Sequence, residues 1–200
     1  MQIIFFILFI FWLYIIIVFR RGGLKFLLFC FGSIGLFFFL MIWCEPLLIG
    51  YLTKAVTAVA GIAGNISGLY DSYYQYGLLF IPKSTTTVSL YIDYECSGVI
   101  EIMAFTSMLW FFPLYNPLEK VIITLIGALV IFFANILRIF LICVLIYYLG
   151  NDVFYFAHTI FGRMIFYFFS VTLYFYVFTR AHIIRQKVGQ FSYGEALGRK

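Results

Sequence analysis

Charge is what this sequence has least of. Asp, Glu, Lys and Arg together supply 10% of the 200 residues, against 65% hydrophobic and 23% aromatic. A soluble domain keeps its apolar share near about half, so this composition excludes a soluble globular protein and implies an integral membrane one. The same scarcity removes nucleic acid from the partners. In a membrane protein the formal net charge of +5 reports which loops carry Lys and Arg, not a phosphate-binding face. Histidine and cysteine are short as well. With His at two positions and Cys30, Cys44, Cys96 and Cys143 free of CxxC or other metal-ligand spacing, neither a zinc site nor a disulfide framework is expected, and no cofactor is implied. Missing too are basic residues ahead of the first apolar run and a small-residue cleavage site after it, so that run reads as a retained span and not as a signal peptide. No internal repeat or linker divides residues 1–200, which read as a single integral membrane domain.

What is present is a series of apolar runs of bilayer length. Residues 2–19 form the first, ended by Arg20, Arg21, Gly22, Gly23, Leu24 and Lys25, three positive charges in a short loop that point to the cytoplasm. Further spans are expected at 26–43, 97–112, 121–149 and 164–179, and the basic tail 180–200 returns to the cytoplasm. Residues 44–96 then lie outside. Within them, 47–64 is rich in small residues and interrupted by Lys54, which favours an amphipathic helix at the outer face over another crossing. Tyr74–Ile81 and Thr86–Tyr94 flank Pro82-Lys83-Ser84-Thr85 as a β-hairpin resting on the outer helix ends. The expected fold is an all-α polytopic membrane protein of about five transmembrane helices, with that outer helix and a small extracytoplasmic hairpin.

The chemistry gathers around Asp93-Tyr94-Glu95-Cys96-Ser97-Gly98-Val99-Ile100-Glu101, where the second strand meets the start of a long apolar helix. A cysteine there lies near the unpaired N–H groups and positive dipole end of the helix, which favour the thiolate. The plain alternative is a small buried hydrophobe. Arg138, in the middle of an apolar span, is costly to insert and reads as functional, against the alternative of a side chain snorkelling from a helix end. Asn135 stands three residues earlier on the same face, placed to hydrogen-bond the guanidinium or a substrate carbonyl. Glu101 is the other charge in a span, and Arg138 is its expected partner. His158, in the segment before the last span, falls on the same outer side as Cys96. Thiol, imidazole and guanidinium together suit acyl transfer at a peptide bond. Cys96 attacks, His158 moves protons and Arg138 steadies the oxyanion.

These residues carry a resemblance. Glu95-Cys96-Ser97-Gly98 after a hairpin, Asn135-Ile136-Leu137-Arg138 in a later span and Ala157-His158 before the last one together resemble the exosortase/archaeosortase family over roughly residues 30–180. The short chain and the Cys96 to Glu101 run look most like its small Gram-positive-type branch. The resemblance implies a multi-pass plasma-membrane cysteine protease or transpeptidase acting at the extracytoplasmic face on the C-terminal sorting signal of an exported protein. It assigns Cys96, Arg138 and His158 to the catalytic positions, supported by Asn135, Glu101, Ser97 and Gly98. The implied partners are the exported protein, a surface acceptor such as an amine-bearing lipid or polysaccharide, and membrane lipids. Two readings compete with transfer to an acceptor. One is a plain intramembrane protease releasing its product to water. The other is a non-catalytic component of surface polysaccharide export or assembly, with Arg138 and Glu101 only a structural ion pair.

Overall fold

The computed structural model describes residues 2–82, 87–92, 96–181 and 183. Strand-loop positions Lys83 and Ser84-Thr85, Glu95 of the cysteine motif and nearly all of the basic tail lie outside the described residues. Helix α1 (Gln2–Arg21) and helix α2 (Lys25–Trp43) form an antiparallel pair around a turn in which Gly23 takes φ 68°. Trp12 Nε1 donates to Phe31 O at 3.0 Å across the pair, and Phe9 packs edge-on against Phe39 and Trp43. From Ile3 to Arg21 nothing is buried within the protein, and Ile3, Phe6, Phe11 and Tyr14 are all more than half exposed. An apolar helix left bare in this way is stable only where lipid covers it.

Cys44 joins α2 directly to α3 (Glu45–Ser67), and Pro46 sits in the first helical turn, where its missing N–H costs nothing. The expected amphipathic segment 47–64 is therefore a helix of 23 residues, long and apolar enough to cross a membrane. Five described helical stretches meet that standard: Ile3–Arg21, Lys25–Trp43, Glu45–Ser67, Pro117–Leu149 and Asn151–Arg180. The expected span 97–112 is the exception, since α4 (Val99–Phe111) has only 13 residues, about 20 Å at the usual rise. Five helices reach that length and composition, with α3 among them and α4 not; yet α3 starts and ends at the same end of the molecule, between the α2–α3 junction and the sheet, so its length does not by itself make it a crossing. Lys54 and the small residues lower the mean hydropathy of α3 to 1.6, against 2.8 for α1, which is why composition alone understates it.

After Gly68, at φ 66°, the chain builds three antiparallel strands in the order β1 (Asp71–Tyr73), β2 (Leu78–Pro82) and β3 (Thr87–Tyr91), with Leu79 opposite Leu90 and Ile81 opposite Val88. The expected two-stranded hairpin is thus a three-stranded sheet. Tyr74 to Gly77 is a turn and not the start of a strand, because Gly77 at φ 67° lets the chain reverse there. Tyr70 ties the sheet to α3: its buried hydroxyl donates to Ala60 O at 2.6 Å, and desolvation holds the phenol well above its ordinary pKa. Leu79, Ile81, Leu90 and Ile92 close a core with Val56 and Ala60 of α3 and with Ile136, Ile139, Ile142 and Ile146 of α5 (Pro117–Leu149).

Helix α5 opens with a capping box between Asn116 and Glu119 and with Pro117 at N1. Its 33 residues reach about 50 Å, beyond the ~30 Å hydrocarbon core. A second core lies at mid-length, where Phe105 and Leu109 of α4 meet Ile131 and Ala134 of α5 and Phe166 of α6 (Gly162–Tyr174). Gly127 makes this approach possible, since a Cβ there would fall 2.2 Å from the Phe105 ring. The expected span 164–179 starts earlier: after a 3-10 turn at Asn151–Val153 the chain is helical from Phe154 to Ala181, with π-helical segments at Phe156–Phe161 and Phe175–Arg180. At one end of the molecule Phe29, Phe112, Tyr115 and Phe178 bring together the start of α2, the α4–α5 turn and the end of the last helix. The sheet, the α2–α3 junction and Gly150 occupy the other.

Candidate active site

Cys96 sits in the turn between the sheet and α4, two residues before Gly98, the N-cap. Gly98 has φ 80°, a left-handed conformation that a side chain disfavours, and it turns the chain so that residues 96–98 fold back toward α5. Ser97 is fully buried, and its Oγ accepts from Val99 N at 3.4 Å. Asn135 Nδ2 donates to Cys96 O at 2.5 Å. The partner shown for Asn135 is thus one that spacing did not indicate. Asn135 clamps the backbone of the cysteine.

Arg138 lies one turn further along α5, 5% exposed, with Nη2 3.7 Å from Cys96 Sγ and its guanidinium carbon 5.9 Å from the centre of the Phe166 ring. The side chain does not snorkel; it turns inward to the sulfur. On the other side of the thiol, His158 Nε2 stands 3.8 Å from Sγ. His158 is not in a loop, as its position before the last span suggests, but inside the π-helical segment Phe156–Phe161, stacked on Phe154 with ring centres 5.8 Å apart and planes within 3°. A π turn holds one residue more than an α turn and re-aims the side chains around it, which is why such turns collect at working sites. Gly162 closes the gap to α5, because a Cβ there would lie 2.7 Å from Ile142 Cδ1.

The thiol opens into a cavity of about 210 Å³ lined by Cys96, Arg138 and His158 together with Ile100, Glu101, Arg163, Phe166 and Tyr167. The structure therefore brings together all three residues singled out as nucleophile, acid–base and oxyanion group. It does not make the expected Glu101–Arg138 pair: Glu101 Oε2 and Arg138 Nε are each buried without a hydrogen-bonding partner. Arg138 has turned one guanidinium nitrogen to sulfur instead, and α4 is held to α5 by the Gly127 contact and the Asn135 clamp. Sequence reasoning missed Arg163, Phe166 and Tyr167. Their spacing of three and four residues places them on one helical face, a signal that the surrounding run of apolar residues hides.

Chemically, a cation and an imidazole on either side of a sulfur favour its thiolate and give the reaction both a proton carrier and a positive group for developing charge. A sequence model describing transmembrane exosortases matches residues 1–176. No curated protein and no solved structure matches the chain. With most of its length covered by that match, the protein belongs to the transmembrane exosortase family, multi-pass membrane proteins of a generally transpeptidase type.

Proposed function

We propose that the protein is a cysteine transpeptidase that cleaves the C-terminal sorting signal of an exported protein at the outer face of the plasma membrane and passes the new C-terminus to a surface acceptor. The observation that carries the reading is the sulfur of Cys96 held 3.7 Å from Arg138 Nη2 and 3.8 Å from His158 Nε2 at the wall of a cavity. In the first half-reaction the Cys96 thiolate attacks the scissile carbonyl, and negative charge moves from sulfur to oxygen. Arg138 follows that charge, since a guanidinium presents several N–H groups in one plane and stays protonated in a dry site. The protonated His158 imidazole gives its proton to the departing amine, leaving a thioester on Cys96. In the second, an incoming amine loses a proton to His158 as it attacks the thioester, and the thiolate leaves.

The outward face is supported by charge. Arg20, Arg21 and Lys25 at the α1–α2 turn, Lys120 at the start of α5 and Arg180 at the end of the last helix gather at the end of the molecule remote from Cys96. Basic residues in short loops mark the cytoplasmic side. Packing of α3 and the sheet on the half of α5 nearer Gly150, the end away from those charges, supports reading both as outer, with Cys96.

The test is the covalent intermediate. Membranes containing the protein and its substrate should yield a Cys96 peptide bearing the truncated substrate as a hydroxylamine-labile thioester, detectable by mass spectrometry and absent from Cys96→Ala. Normal substrate processing by Cys96→Ala would show that Cys96 is not the nucleophile.

A further inference from the structure

Glu101 is the carboxylate of the cavity, and the acylation chemistry leaves it unused, as it does Arg163 and Tyr167 on the same wall. It lines the same space as Cys96 and His158, and its Oε2 is buried without a hydrogen-bond donor. A buried carboxylate oxygen left in this state is costly unless a partner arrives. Arg138 does not serve, because its Nη2 is turned to Cys96 Sγ while its own Nε is also left without a partner. Packing among Ile102, Phe105 and Leu109 holds α4 in place without any help from Glu101. Arg163, the other cation on this cavity, makes no hydrogen bond to that oxygen either, so the donor left for it is one that enters the cavity.

We propose that Glu101 is the acceptor-binding carboxylate of the site, holding a primary ammonium group beside the Cys96 thioester. The proposal rests on the acyl-transfer reading above. Of the donors that could enter, a peptide N–H is satisfied by any neutral acceptor, whereas a half-buried carboxylate favours a cation through a charge-assisted bond. Glu101 stands in the first turn of α4, just past the turn that carries Cys96, and both line the same cavity, where a small nucleophilic head can reach the two at once. The ammonium docks on Glu101 and passes one proton to that carboxylate, which releases it to water. The free amine attacks the thioester carbonyl, a C–N bond forms, the C–S bond breaks, and His158 takes the second proton as the thiolate departs. Water, without a positive charge, binds that carboxylate more weakly than an ammonium does, so Glu101 favours transfer over hydrolysis.

The experiment uses the full chain in detergent and needs no natural substrate. p-Nitrophenyl acetate should acetylate Cys96 with a burst of p-nitrophenol. The acetyl-enzyme, freed of reagent, is then given n-butylamine at neutral pH, where it is mostly ammonium, or n-butanol. N-butylacetamide should form with saturation in n-butylamine, tetramethylammonium should compete, and n-butanol should yield little ester. In Glu101→Gln the ratio of amide to acetate, counted per acetyl-enzyme, should fall by about tenfold or more, the usual scale for a lost bond to a charged group. An unchanged ratio in Glu101→Gln overturns the proposal. Should that variant fail to insert or acetylate, the unaltered protein still decides: amide formation linear in n-butylamine and indifferent to tetramethylammonium overturns it. A burst that requires Cys96 but shows no preference for the amine removes the proposal alone. No Cys96-dependent burst in the unaltered protein removes the acyl-transfer reading and the proposal together.

Discussion

Arg138 separates catalysis from packing. A lysine would keep the positive charge but offer a compact ammonium in place of a planar fork, and the 3.7 Å approach to Cys96 Sγ belongs to one guanidinium nitrogen, Nη2. Arg138→Lys should reach normal abundance in the membrane and process substrate about 10²–10³ more slowly, the usual cost of one oxyanion donor. Immunoblots of substrate and enzyme together check this, and undiminished processing would assign Arg138 to structure. Asn135→Ala should act differently. It leaves the cation in place and frees the Cys96 carbonyl, so alkylation of Cys96 by iodoacetamide should slow and lose its uniform rate. Both residues were legible in the sequence because polar side chains are rare in a run like Val121–Leu149. The partner of each was not. Three residues of spacing put Asn135 and Arg138 on one face, but only the packed turn at Cys96 shows that one meets a carbonyl and the other a sulfur.

Among elements, the turn into α4 and the π-helical segment before α6 set the geometry. Gly98 at φ 80° lies against Asn135, with a hypothetical Cβ 3.6 Å from Nδ2, so space is sufficient and conformation is the obstacle. Gly98→Ala should lower stability by about 1–2 kcal/mol, the price of a left-handed residue with a side chain, and should lower Cys96 reactivity more than a change of that size elsewhere in α4. Thermal unfolding in detergent and alkylation rate, measured on the same preparations, check the two halves. The passage from an extended run to a helix at Cys96 could be read directly, since the switch from alternation to an unbroken apolar run is local. The π segment could not be. Phe156 to Phe161 has an ordinary apolar composition, and its wider turn reflects packing against α5 through Gly162. Hence His158, read from the sequence as lying in the segment before the last span, turns out to be a helical residue.

For the molecule as a whole, the arrangement of ends makes a topological prediction. With the four cysteines replaced by serine, Tyr76→Cys on the sheet, 69% exposed, should react with a membrane-impermeant maleimide on intact cells. Leu118→Cys at the α4–α5 turn, 72% exposed, should react only after permeabilisation. The reverse pattern would turn the protein over and place Cys96 inside. The membrane class and the candidate trio of Cys96, Arg138 and His158 follow from the sequence by itself, because hydropathy and the rarity of ionisable residues in apolar runs are one-dimensional properties. Tertiary structure alone decided the rest: that α3 is a full-length helix under a three-stranded sheet, that Asn135 grips the cysteine's own backbone, and that Glu101 does not pair with Arg138. Each of these depends on which direction a side chain points across an interface between helices. That direction is set by glycine-permitted close approaches at Gly127 and Gly162 and by one π turn, and sequence spacing along a single helix carries no information about them.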